Sequence, residues 1–207
     1  MRKTSFKMRK VAAIVACLAV TVMLASCKED KNKNIKGSGN IVYQERAVSG
    51  FYGIAIDGVA DVNVHIGENY KVVVTTDDNL QSIVLTEVKN NVLHINEKSK
   101  TGFDPTKLIV DVYLPELKNI DLQGVGNVML SNGEASDFVI SLSGVGNIDA
   151  QNYKVENIFI THSGVGDAKI WVTNSLKGRL SGVGNVFYKG NPTIEVNVSG
   201  VGTVIKL

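Results

Sequence analysis

Three histidines are the side chains of this sequence best suited to acid–base chemistry or metal binding near neutral pH. His65, His94 and His162 lie far apart, and His162 takes a place in a repeated segment where leucine stands in three other copies. We therefore expect His162 to be buried and hydrogen-bonded. Its neighbour Ser163 would point to the opposite face of a strand, so the two cannot act as nucleophile and base. The acidic residues are scattered, and those beside turns are typical of backbone capping. The sequence predicts no catalytic residues, no metal site and no cofactor.

Cys27 is the residue whose setting predicts a chemical modification. Residues 1–10 are basic and residues 11–25 are apolar, which is typical of a secretory signal too short to span a bilayer. The run ends in LASC at residues 24–27, similar to the bacterial lipobox, in which the cysteine is acylated and becomes the new N-terminus. Cys17 would leave with the signal peptide, so no disulfide is expected. An ordinary cleaved signal with a free thiol at Cys27 is the alternative.

Charge and composition divide the chain into three segments. The sequence holds 22 Lys and Arg against 20 Asp and Glu, but five of the basic residues lie in the signal peptide, so the remainder is slightly acidic. This balance gives no electrostatic footprint for nucleic acid. Residues 27–39 are polar and predict a lipidated cysteine followed by a flexible tether. Residues 40–207 show no internal boundary and predict a single domain.

A G-V-G turn occurs five times at nearly constant spacing, starting at residues 124, 144, 164, 182 and 200. The turn glycines are Gly124, Gly126, Gly144, Gly146, Gly164, Gly166, Gly182, Gly184, Gly200 and Gly202. A fixed period of this size indicates a stacked solenoid. Glycine suits such turns because they demand positive φ or close backbone approach. Gly190, in a polar loop, is expected to tolerate substitution better than Gly144 or Gly164.

Each repeat alternates apolar and polar residues on both sides of the turn, which predicts two strands per coil with Val, Ile and Leu on the buried face. The fold class predicted is all-β, a right-handed parallel β-helix with about 18–20 residues per two-stranded coil. A left-handed hexapeptide helix fails because its sixth positions from Val183 include Lys189 and Glu195. A calcium-binding β-roll fails because the period is not nine and most turns carry Asn.

The segment before residue 120 is interpreted as the same architecture with a weaker pattern. The stretch IAIDGVADVNV at residues 54–64 aligns with the repeat, with Ala60 in place of the second glycine. YKVVVTT, NVLHINE and KLIVDVYLP predict further strands. One short helical turn is expected at residues 79–83.

The G-V-G-[ND]-[VI] turns, the opening GFYGIAIDGVADVNV and the segment LTEVKNNVLHI together resemble the auto-transporter adhesin head GIN domain family of exported Gram-negative lipoproteins. The resemblance covers about residues 40–207. It implies a right-handed β-helix and a role in cell adhesion. It carries over no catalytic residues.

Two outward-facing features are candidates for binding. Alternation places Met129, Trp171 and Phe187 outside, where they could form a patch for glycan or protein, although a tryptophan covered by a neighbouring turn is the simpler expectation. The middle valines of the turns should form one column, and we expect the tight turn to rotate this column inward to fill a corner. An exposed column would instead mark a partner or self-association surface.

The function predicted from sequence is a lipid-anchored, non-enzymatic cell-envelope protein that adheres or binds through a repetitive face. It would be an outer-membrane lipoprotein at the cell surface, with a periplasm-facing location as the alternative. Its expected partners are the membrane through the lipid, and a glycan or protein ligand or a second copy; nucleic acid is not expected. A glycan-active lyase-like β-helix enzyme and an envelope structural or stress-signalling module remain alternatives.

Overall fold

The computed structural model describes residues 34–98 and 102–207, and this part of the chain is an all-β protein built around one large mixed sheet. The strands are β1 Ile35–Lys36, β2 Ile41–Arg46, β3 Gly53–Ile56, β4 Asp61–Ile66, β5 Lys71–Asp77, β6 Val84–Lys89, β7 Val92–Glu97, β8 Phe103–Asp104, β9 Leu108–Leu114, β10 Asn119–Leu122, β11 Val128–Leu130, β12 Gly133–Leu142, β13 Ile148–His162, β14 Ala168–Leu180, β15 Val186–Lys189, β16 Thr193–Val198 and β17 Val204–Lys206. None of the described helical residues forms a segment long and apolar enough to cross a membrane.

The five repeats stack in parallel, each strand pairing with its equivalent in the next repeat. In the first row, β3, β10, β12, β13, β14 and β16 are successive neighbours. In the second row the neighbours are β4, β11, β13, β14, β15 and β17. The pairing offset is twenty residues at Asn127 and Asn147 and eighteen at Asp167 and Asn185. Register shifts between β13 and β14 accompany this change of period.

The core is made of inward columns that run along the stack. Ile120, Ile140 and Ile160 follow one another in the first row, each at most 1% exposed. Val128 and Ala168 stand in a second-row column, as the alternation predicts, and both are buried. Burying one such aliphatic side chain fully contributes about 1.5–3 kcal/mol. The columns therefore stabilise the domain without disulfides.

The segment before the repeats differs in part from the prediction. The strands β3 and β4 extend the two parallel rows, with Ile54 beside Ile120 and Val62 beside Val128. However, β5 pairs antiparallel with both β2 and β9, and β6 pairs antiparallel with β7. The three stretches predicted as strands are strands, but they do not all continue the parallel stack. A 3-10 turn at Asp78–Leu80 overlaps the expected helical turn at residues 79–83, but it begins one residue earlier and ends three residues earlier.

Antiparallel strands and the 3-10 turn close one end of the stack, and Asp77 ties them together. Its buried carboxylate accepts hydrogen bonds from the backbone N–H groups of Gly39 and Thr106, at 2.7 and 2.8 Å. Burial raises the pKa of Asp77, but these hydrogen bonds outweigh it, so the pKa lies below the ordinary aspartate value. Residues Ile35–Lys36 pair with Phe103–Asp104. The described part of the predicted tether is thus held against the domain.

The turn glycines are required by close contact between successive repeats. A Cβ on Gly144 would overlap the carbonyl oxygen of Gly124, although Gly144 does not have positive φ. Gly146 has φ +148° as well, and a Cβ there would overlap the carbonyl oxygen of Gly126. The expectation that Gly190 is permissive is wrong. Its φ is +109° and a Cβ would overlap a backbone carbonyl oxygen, because the polar loop also packs directly on the preceding coil.

Candidate binding surface

The valines of the G-V-G turns form an exposed column along one edge of the stack. Parallel bridges join each valine to the next. We call this column the valine ridge; its members and exposed fractions are Val59 45%, Val125 48%, Val145 50%, Val165 49%, Val183 49% and Val201 72%. The five steps between them span about 24 Å at the usual strand spacing. The expectation of an inward corner is therefore wrong.

Backbone pairing explains why the ridge faces outward. The N–H of Val145 donates to the carbonyl of Gly124 at 2.9 Å, and its own carbonyl accepts from Gly126 at 3.0 Å. Each valine is thus held in the ladder between its neighbours, and its side chain follows the alternation of the flanking strands. Rotation into a corner would break both bonds.

A ladder of side-chain amides and carboxylates runs beside the ridge. The Oδ1 atom of each member accepts a hydrogen bond from the backbone N–H of the next repeat, over 2.8–3.2 Å. The acceptors are Asp61, Asn127, Asn147, Asp167 and Asn185, and Thr203 is the last donor. This pattern explains why Asn or Asp follows the second glycine. On the other flank an exposed column consists of Gln123, Ser143, Ser163, Ser181 and Ser199.

The surface formed by the ridge and its two flanks is regular and poor in charge. It contains hydroxyls, amides and aliphatic groups, with Asp61 and Asp167 as carboxylates and no basic side chain among these columns. A groove of about 540 Å³ adjoins its first repeat, lined by Val59, Val125 and the loop that carries Pro105. The groove is absent from the sequence prediction because its far wall comes from a loop with no repeat pattern.

The structure does not bring the three predicted patch residues together. Met129 is 59% exposed, but Asp149 and Lys169 stand between it and Phe187 in the same cross-strand row. Trp171 is only partly exposed. Its ring lies 4.0 Å from the ammonium nitrogen of Lys189 and 6.0 Å from that of Lys154. Lysine side chains from the adjacent coils thus cover the tryptophan, which leaves the valine ridge as the better candidate surface.

The histidines occupy three separate places. His162 is fully buried, and its Nε2 donates to the carbonyl oxygen of Gly166 at 2.6 Å, while Nδ1 has no hydrogen-bond partner among the described residues. The expectation of a buried, hydrogen-bonded histidine is confirmed by this contact. His94 lies 3.3 Å from a carboxylate oxygen of Asp57.

His65 lies on β4 in the second row. Its Nε2 is 3.7 Å from a carboxylate oxygen of Asp111, and its ring stacks on Tyr113 with ring centroids 4.5 Å apart. Within residues 34–98 and 102–207, no serine or cysteine side chain is hydrogen-bonded to a histidine ring, and no three ligating groups gather to hold a metal. These histidines pack and pair as structural residues. Cys27, the predicted lipidation site, lies outside the described residues.

The fold and surface define a repetitive all-β protein whose regular edge carries an exposed apolar ridge. The family model "Putative auto-transporter adhesin, head GIN domain" matches residues 50–133 and 122–192. The chain belongs to this family.

Two solved structures are similar over most of the chain. A "putative adhesin" from Bacteroides fragilis is 22% identical with a TM-score of 0.62, and a "putative lipid binding protein" from Parabacteroides distasonis is 22% identical with a TM-score of 0.54. Each match covers 84% of this chain and 100% of the other. At this identity the likeness shows the fold alone. No curated protein sequence matches the chain.

Proposed function

We propose that this protein is a lipid-anchored, non-enzymatic adhesin of the cell envelope that binds its partner along the valine ridge. The observation that carries the proposal is the valine ridge itself. Its six exposed valines follow one another from coil to coil, and backbone bridges join each valine to the next. Monomeric proteins rarely expose contiguous apolar patches beyond about 300–600 Å², and the largest patch is often functional. Membership of an adhesin family supports the same assignment.

The chemistry of the surface indicates an uncharged partner. The valines, the serine hydroxyls and the amides form three parallel columns, each repeating at one strand spacing, so a glycan chain or an extended peptide lying along them would meet the same groups in each repeat. An anionic polymer is disfavoured along the flanking ladder because its members include the carboxylates of Asp61 and Asp167 and no basic side chain, although Lys107 and Lys169 line hollows beside it. We assign the partner to the neutral glycans or proteins of a surface.

The anchor and location form the second half of the proposal. The LASC motif at residues 24–27 supports lipidation of Cys27, which would hold the protein on the outer membrane, facing either the cell surface or the periplasm. A single acyl chain binds a membrane only marginally, whereas multiple chains anchor stably. Protease accessibility on intact cells distinguishes the two locations.

The architecture is best described, in our proposal, as a right-handed parallel β-helix of two-stranded coils capped by antiparallel strands. Support comes from the parallel offsets of twenty and eighteen residues between equivalent positions. Right-handed crossovers are strongly favoured between parallel strands. A crystal structure with the opposite handedness would reject this description.

The test replaces three ridge valines by serine in the full chain: Val145, Val165 and Val183. Binding is measured to immobilised neutral polysaccharides and in a cell adhesion assay. We expect binding to be lost. The matched control replaces Val139 and Phe159 by serine as well. These two side chains lie on the first row and are 46% and 51% exposed, and the control should bind as the wild type does. Equal binding by both variants would reject the ridge, and release of reducing ends from the polysaccharides would favour the glycan-active alternative.

A further inference from the structure

The valine ridge ends in a groove beside the first repeat. Val59 is the first valine of the ridge, and the strand on its far side is β9. Asp61 pairs with Ile109 across these strands, and the same register, continued by two residues, places Lys107 level with Val59. Where another coil would add a further valine, the chain thus has a lysine. The groove has a volume of about 540 Å³, which lies within the usual range of ligand pockets.

The groove combines aliphatic groups with two opposite charges. Val59, Val125 and Ile109 line it with aliphatic side chains, and Asp61 and Lys107 add a carboxylate and an ammonium group. Both charged residues are exposed. A carboxylate only accepts hydrogen bonds and an ammonium group only donates them. A ligand that meets both groups must therefore donate at one atom and accept at another, and its body must tolerate an apolar contact.

The ladder beside the ridge does not require a carboxylate at Asp61. The Oδ1 atom of Asp61 accepts from the backbone N–H of Asn127 at 2.8 Å and from its Nδ2 at 3.1 Å. In the next repeat the amide oxygen of Asn127 makes the same two contacts with Asn147, at 3.1 and 3.0 Å. An asparagine would therefore serve the ladder equally well at residue 61. Both contacts of Asp61 use Oδ1, so a ligand in the groove would meet Oδ2.

We propose that the groove binds one unit of a neutral glycan, whose hydroxyl groups donate to Asp61 and accept from Lys107 while the C–H groups of the sugar ring lie against the valines. This inference rests on the proposed function and narrows the partner from a neutral glycan or protein to a glycan. A hydroxyl both donates and accepts, so two neighbouring hydroxyls satisfy both charged groups without bringing a charge of their own. An anionic ligand would be repelled by Asp61 and a cationic one by Lys107.

A smaller hollow on the first row provides a matched control. Its volume is about 180 Å³, and its lining includes Asp137, Lys177 and exposed apolar side chains. The chemical groups are thus those of the groove, but they lie away from the ridge. Lys177 is already paired with Glu195 at 3.0 Å, and Oδ1 of Asp137 accepts from Nδ2 of Asn157 at 3.2 Å. Removing charge from this hollow should leave binding unchanged.

Single substitutions in the full chain test the class of ligand by the sign of their effects on binding to immobilised neutral polysaccharides and to cells. Asp61→Asn keeps the Oδ1 acceptor, and Lys107→Met keeps the aliphatic stem. Each should weaken binding about tenfold or more, because each removes a hydrogen bond to a charged group. Asp137→Asn and Lys177→Met should bind as the wild type does. Stronger binding by Asp61→Asn with weaker binding by Lys107→Met would indicate an anionic ligand, and any result in which the two do not both weaken binding overturns the proposal.

Chemical treatment of the target cells separates this inference from the proposed function. Periodate cleaves neighbouring hydroxyls of sugars, so it should abolish adhesion of the wild type. Adhesion that survives periodate overturns the glycan, and its loss after protease treatment would then identify a protein partner and leave the proposed function standing. A wild type that binds neither polysaccharides nor cells rejects the proposed function and the groove together. Thermal melts of Asp61→Asn and Lys107→Met that coincide with that of the wild type show that the variants fold.

Discussion

Substitution of Gly146 by alanine tests whether contact between backbones holds the repeats together. The added Cβ would overlap the carbonyl oxygen of Gly126, and φ at Gly146 is +148°. To relieve the overlap the two coils must move apart. The hydrogen bonds that join these two coils here run from the N–H of Val145 to the carbonyl of Gly124, at 2.9 Å, and from the N–H of Gly126 to the carbonyl of Val145, at 3.0 Å. Losing two such bonds costs about 2 kcal/mol, and the strained φ adds about 1–3 kcal/mol.

We therefore expect Gly146→Ala to lower the free energy of unfolding by about 3–5 kcal/mol. For a domain of this size that corresponds to a fall in Tm of about 6–20 °C. Thermal unfolding followed by circular dichroism measures it. Gly67→Ala is the matched control, because no atom lies within 4 Å of its added Cβ and its φ is not positive. Coincident melts of Gly146→Ala and Gly67→Ala would refute the close-contact explanation.

Three further predictions separate the surface, the cap and the anchor. Changing Val145, Val165 and Val183 to Ser should leave the free energy of unfolding within about 1.5 kcal/mol of wild type, since each is a surface substitution; a large fall in Tm would show that the ridge is buried. Asp77 has a lowered pKa, so its contribution to stability is present above about pH 4 and is lost as the pH falls through the folded-state pKa. Asp77→Asn should thus flatten the acid limb of a Tm-against-pH plot, and an unchanged acid limb would contradict this. Cys27→Ala should move the protein from the membrane to the soluble fraction, and retention in the membrane would reject lipidation.

The repeat could be predicted from the sequence because a fixed period and strand alternation act together. Glycine spacing gives the coil length, and alternation gives the inward columns, so the pairings of Ile120 with Ile140 and of Val128 with Ile148 follow directly. The cap was not predictable in the same way. An antiparallel strand such as β5 has the same alternating pattern as a parallel one, and only its partner distinguishes them.

The candidate patch shows a second limit of sequence reasoning. Alternation correctly places Met129 outside, but alternation alone ignores the repeat offsets, which set Asp149 and Lys169 between Met129 and Phe187 in the cross-strand row. It also does not predict that Lys189 lies on Trp171. The approach of Lys154 to the same ring depends on a local shift in register, because the regular offset between β13 and β14 breaks after Ala150 and Lys154 becomes the partner of Trp171.

The exposure of the valine ridge and the closeness of the coils have one cause. The glycines let the backbone of one turn touch the backbone of the next, which fixes the valine between them in the hydrogen-bond ladder. A side chain fixed in that ladder, with glycine on both sides, has no room to turn inward and nothing to cover it. The glycines therefore determine the stability of the stack, and the valines form the candidate binding surface. Changes at Gly146 should lower Tm, and changes at Val145 should reduce binding at nearly constant Tm, so adjacent residues of one turn separate folding from function.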